Sequence, residues 1–178
     1  MFYFHFMNKT TSGLWLLLII LTIHLKVNAQ TYISLGPSIS NQAGSFGEKM
    51  NLDLEVGKQW DVFSLGLVFG KTSLDMSGWD TTTFFELRPN LNVFQQGKFT
   101  NTFTAGIGYI LNAKENLLTE LSSGIEYAYS PQIHFNVFFG QYYYSGRYSD
   151  SNSTFFGISC MYYFSPNSSK PLITNGKQ

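Results

Sequence analysis

The sequence predicts an all-β chain of eight antiparallel strands, closed as an up-and-down barrel that carries its apolar side chains on the outside. Three observations predict it. Apolar and polar residues alternate with period two in eight successive segments. The connections between segments are alternately tight and long. Nine glycines all fall on the polar parity.

The alternation is plainest in "MNLDLEVGKQWDVFSLGLVFG", Met50 to Gly70, where Met50, Leu52, Leu54 and Val56 share one parity and Asn51, Asp53, Glu55 and Gly57 the other. After the polar break at Gln59-Trp60-Asp61 it resumes with Phe63, Leu65, Leu67 and Phe69. Period two marks strands, and a short polar break between two of them marks a hairpin. The same reading places segments at 31–40, 49–59, 62–74, 82–94, 98–111, 118–129, 132–144 and 153–164, with no helical period between them. Tight turns fall near Trp60-Asp61, Gln95-Gln96-Gly97 and Ser130-Pro131. Longer polar loops are expected near 41–48, 75–81, 112–117 and 145–152, so the two ends of the meander differ.

One face is apolar throughout: Leu35 and Ile39, Phe85 and Leu87, Phe103 and Ile107, Leu121 and Ile125, Phe135 and Val137, Phe156 and Ile158. The opposite face carries Ser34, Glu86, Arg88, Asn90, Thr102, Thr104, Glu120 and Glu126. Gly36, Gly57, Gly66, Gly70, Gly106, Gly108, Gly124, Gly140 and Gly157 lie on that polar face. Random parity would give this about once in 500 trials, since successive side chains alternate sides. A polar face in water would use Thr, Lys or Glu, because glycine weakens a strand and packs nothing. In the narrow interior of an eight-stranded barrel, glycine instead makes room for large neighbours. The apolar face is then outside and its solvent is lipid, which makes the fold a transmembrane β-barrel. Segments of this length suit a tilted crossing of about 9 to 11 residues, and Trp60, Phe94, Phe99, Tyr127, Tyr129 and Phe164 would form an aromatic girdle at the short-turn end.

Composition agrees. Charged residues make up 12% and aromatics 17% of the 178 residues, a surface short of charge for contact with water. "GLWLLLIILTIHL", Gly13 to Leu25, follows Lys9 and precedes small Ala29, the pattern of a secretory signal over residues 1–29 and too short for a spanning helix. Met7 offers a second translation start. Removing that segment takes away Lys9 and Lys26 and no acid, so nine basic residues face eleven acidic ones and a nucleic-acid partner is not expected. Cys160 is the one cysteine, so no internal disulfide forms. Residues 30–164 are read as the barrel and 165–178 as a disordered tail.

With these residues in view, the chain resembles the small eight-stranded outer-membrane β-barrel family of Gram-negative envelopes. The resemblance covers 30–164 and rests on pattern. It implies a monomer in the outer membrane with both termini periplasmic, in contact with outer-membrane lipid. The closing "STFFGISCMYYF" is similar to the aromatic terminal strand read by the outer-membrane assembly machinery, the partner this implies.

The inward ionisable set is Asp53, Glu55, Glu86, Arg88, Glu120, Glu126 and His134. Arg88, alone among Lys and Arg in the inward mid-strand positions, is expected to be the hub of a structural network, with Glu55 or Glu120 as its main contact, because buried carboxylates need a cation. His134 is the sole histidine beyond residue 29, which leaves little for a metal site or a catalytic triad; no cofactor, metal or catalytic residue is expected. The resemblance admits one enzymatic alternative, the lipid-A deacylases and palmitoyl-transferases, which use a histidine with a serine and an acid. Here "IHFNV" has Asn136 where the deacylase pattern has serine, and His134 is expected near the periplasmic end, packed as a pair with Glu126. The other alternative is a soluble, lipocalin-like ligand-binding barrel. The expected role is envelope structure or contact through the loops.

Overall fold

The computed structural model describes residues 29–42, 45–75, 82–111, 113, 115–147 and 150–164. The signal segment and the C-terminal tail expected from sequence lie outside these residues. Alternation becomes eight strands: β1 (Gln30–Gln42), β2 (Ser45–Trp60), β3 (Phe63–Asp75), β4 (Thr82–Gln96), β5 (Phe99–Ile110), β6 (Leu117–Ala128), β7 (Ile133–Ser145) and β8 (Asp150–Tyr163). Each pairs antiparallel with its neighbours in sequence, and β1 pairs with β8 to close the barrel. Closure leaves no unpaired edge, which lipid would not tolerate.

Two hairpins turn on two residues, Asp61-Val62 and Gly97-Lys98, and in each the first central residue has positive φ, 47° at Asp61 and 60° at Gly97. That backbone matches the right-handed twist of the flanking strands. At the other end the expected loop 41–48 is mostly strand: β1 and β2 stay paired out to Gln42 and Ser45, across a register shift between Ser40 and Asn41. The expected loop 145–152 is likewise shortened, because Asp150 already pairs with Ser145. Polar hairpin arms carry no apolar alternation, so pairing there leaves no trace in the sequence.

Pro37 and Pro89 stand inside strands, where a missing N–H costs a rung. The ladder gives way on one side of each. Pairing between β1 and β8 passes from Leu35–Cys160 to Ser38–Gly157, and between β4 and β5 from Leu87–Ile107 to Asn90–Thr104.

Polarity is inverted relative to a water-soluble barrel. Large apolar side chains such as Leu67, Phe69, Ile107, Ile125 and Phe139 are exposed around the outside, while Asp53, Glu55, Glu86, Arg88 and Glu120 are buried within. Water would reward the reverse arrangement, so the lipocalin-like alternative is excluded and the outer belt faces hydrocarbon.

Candidate functional site

The interior is built on bare backbone. Gly57 and Gly66 pair across β2 and β3, and Gly66 pairs with Arg88 of β4. A Cβ at Gly57 would lie 2.6 Å from the ring of Tyr32, and one at Gly66 would fall inside the Glu55 carboxylate. Gly70 lies beneath Phe84 and Gly157 beneath Phe138, their would-be Cβ atoms at 2.5 Å from each ring. Gly106 lies beneath the Glu86 carboxylate. Each glycine thus admits one large side chain from a neighbouring strand.

At mid-height those side chains converge on one cation. Arg88 Nη1 donates to Asp53 Oδ2 at 2.8 Å and to Glu55 Oε2 at 3.3 Å. Its Nη2 donates to Glu86 Oε2 at 3.1 Å and lies 2.7 Å from Glu120 Oε2. Glu55 also accepts from the Tyr32 hydroxyl at 2.5 Å, and Glu120 from Ser122 at 2.6 Å. Four carboxylates from β2, β4 and β6 therefore share one guanidinium, whose planar fork can serve several at once where a lysine could not. Both carboxylates named from sequence as main contacts touch Arg88, joined by Asp53 and Glu86.

Glu126 and His134 stand apart from this hub. Glu126 Oε1 lies 2.5 Å from His134 Nδ1, and the imidazole packs on Tyr163 at 4.7 Å between ring centroids. Tyr163 donates to Gln59 at 2.5 Å. This pair belongs to the short-turn end, and among the described residues no serine bonds the imidazole. Nor do the described residues hold a group of three or more His, Cys, Asp or Glu side chains arranged for a metal.

Towards the long-loop end the interior turns apolar. Val68, Phe84, Ile110, Leu118, Tyr142 and Phe155 form a buried plug, with Tyr142 stacked on Phe155 at 4.2 Å. All six have inward parity, but they are scattered over six strands and only closure of the barrel brings them together. Between the plug and the short-turn end a cavity of about 60 Å³ remains, lined by Arg88, Asn90, Thr102, Glu120, Glu126 and Tyr163 among others. A cavity of this size has room for a few waters and for nothing larger.

No protein-family model and no curated protein matches the chain. Solved structures do match. Neisserial surface protein A has a TM-score of 0.60 at 7% identity, covering 76% of this chain and 97% of that one. A de novo design, TMB2.3, has a TM-score of 0.51 at 14% identity over 79% and 99% of the two chains. The N-terminal β-barrel domain of Pseudomonas aeruginosa OprF has a TM-score of 0.50 at 10% identity over 76% and 100%. Identities this low report the fold alone, and it agrees with the inverted polarity: the chain has the fold of the small eight-stranded transmembrane β-barrels.

Proposed function

We propose that this chain is a non-enzymatic barrel of the bacterial outer membrane, with its long loops on the cell surface, serving envelope structure or surface contact. The observation that carries this reading is the filled lumen. A charged hub at mid-height and an aromatic plug above it leave no continuous path for a solute, as expected for eight strands. The His134–Glu126 pair is locked between ring and carboxylate rather than presented beside a nucleophile. Support for the location comes from the lipid-facing belt and from the fold shared with Neisserial surface protein A and the OprF barrel. The aromatic last strand would be the handle for the assembly machinery, and the barrel would stand as a monomer.

The test is made on the refolded barrel and on cells. Planar-bilayer recording should give no steady current, and incubation with labelled lipid A should give no product. An epitope placed within residues 76–81 should be labelled on intact cells. A steady current, product that disappears in His134→Ala, or labelling only after lysis would each overturn a part of the reading.

A further inference from the structure

The lipid-facing wall is not uniform. Ser123 of β6 pairs with Phe103 of β5 on one side and Phe139 of β7 on the other, so a small residue sits between two large ones. Its hydroxyl is turned back onto the Thr102 carbonyl at 3.1 Å, which leaves the floor without a free polar group. The result is an outward groove of about 350 Å³, walled by Phe103, Leu121 and Phe139. It is a trough open on its outer side and not an enclosed cavity.

The end of the groove nearer the long loops is polar. There Gln141 of β7 is exposed on the outer face, and its Oε1 accepts from the Tyr143 hydroxyl at 2.5 Å. This hydrogen bond fixes the amide, and its NH₂ group has no acceptor among the described residues. An unpaired amide donor at a lipid-facing position is costly in hydrocarbon. Tyr143 and Tyr109 are the outward tyrosines closest to the long-loop ends of β7 and β5, and outward tyrosines settle at headgroup level. Gln141 is one outward step deeper than Tyr143, at the rim of the apolar trough.

We infer that this groove is a lipid site, holding one acyl tail of an ester-linked membrane lipid whose carbonyl accepts a hydrogen bond from the Gln141 amide. Tail and acceptor are joined in such a lipid in the order the groove presents them, apolar trough first and donor at its rim. A second copy of the chain fits less well, since its outer belt would offer apolar side chains to the same donor. The inference rests on the membrane-spanning fold and not on the role proposed above.

The test uses the barrel refolded into vesicles of diacyl phosphatidylethanolamine or of its diether analogue, extracted gently and weighed by native mass spectrometry, with folding checked by heat-modifiable gel mobility. Wild type should retain one diacyl lipid, and the diether analogue, which lacks the carbonyl, roughly three- to tenfold less, the worth of one hydrogen bond. Gln141→Leu should lose this preference while keeping the groove. Ser123→Trp, which fills the trough, should retain neither lipid. Equal retention of ester and ether lipids by wild type, no retained lipid at all, or a dimer of chains in place of a lipid adduct would overturn the inference.

Discussion

Glu120 of β6 reaches Arg88 of β4 across the strand that separates them, Oε2 to Nη2 2.7 Å. It can do so because β5 presents Gly106 at the crossing, where a Cβ would lie 3.2 Å from that of Glu120 and inside the carboxylate of Glu86. The glycine and the ion cluster are one device: bare backbone lets charges from alternate strands meet.

Arg88→Ala should destabilise the barrel by about 3 to 5 kcal/mol, because it strands buried carboxylates without their cation. A second substitution should rescue it, and the partners are unequal. Glu55 keeps the Tyr32 hydroxyl and Glu120 keeps Ser122, whereas Glu86 has no hydroxyl donor to fall back on and adjoins the Glu120 carboxylate. Glu86→Gln should therefore restore more of the urea midpoint of Arg88→Ala than Glu55→Gln does. An unchanged midpoint for Arg88→Ala would dismiss the hub altogether.

The glycines should rank by what opposes a Cβ. At Gly36 the nearest atom is Asp53 Oδ1 at 3.0 Å, a side-chain atom able to give way. At Gly66 the Glu55 carboxylate would have to leave its place beside Arg88. At Gly108 the obstacle is the backbone carbonyl of Phe85, with Glu86 Cα at 3.0 Å, and backbone does not yield. Alanine should cost least at 36 and most at 108, the latter at or above the 1 to 3 kcal/mol typical of overpacking. Three equal unfolding midpoints would contradict the packing described.

The two short turns separate backbone strain from packing. A Cβ at Gly97 meets nothing within 4 Å, so Gly97→Ala should cost only the left-handed backbone, about 1 to 2 kcal/mol. Asp61 bears the same left-handed backbone with a side chain, at φ 47°. A Gly97→Ala urea midpoint equal to that of wild type would contradict the left-handed backbone at this turn.

On the outer belt, Leu67→Arg or Ile107→Arg should cost about 2 to 4 kcal/mol in a refolding assay, since each side chain faces hydrocarbon. Thr104→Ser, one step off the same wall and facing in, should be close to silent. Equal tolerance at both parities would reverse the face assignment.

Strand number, order and facing were legible because period two survives inspection wherever one face meets lipid. Arg88 could be picked out as the inward mid-strand cation. Its partners could not be ranked, because distances across a lumen depend on the stagger of strands, which no single segment encodes. The pairing of His134 with Glu126 was legible, since both flank the tight turn at Ser130-Pro131, whereas only stagger shows that Asp53 joins the hub. It also assembled Val68, Leu118 and Phe155 into a plug from strands far apart in sequence. Segments 31–40 and 82–94 run through Pro37 and Pro89, and each proline is accommodated by a ladder that skips rungs on one side only. Pairing at Asn41–Phe46 and Gln42–Ser45 lies beyond the alternating segments and left no pattern to read.

The apolar plug gives the barrel a sidedness that its symmetric-looking wall does not. Phe84, Phe155 and Leu118 are sealed from solvent at the long-loop end, while the cavity beside Arg88 extends towards Gln59, Asn92 and Tyr163 at the short-turn end. The charged interior is therefore chemically a pocket of one compartment. Water can stand beside its carboxylates on the short-turn side, while on the loop side the buried plug closes them off.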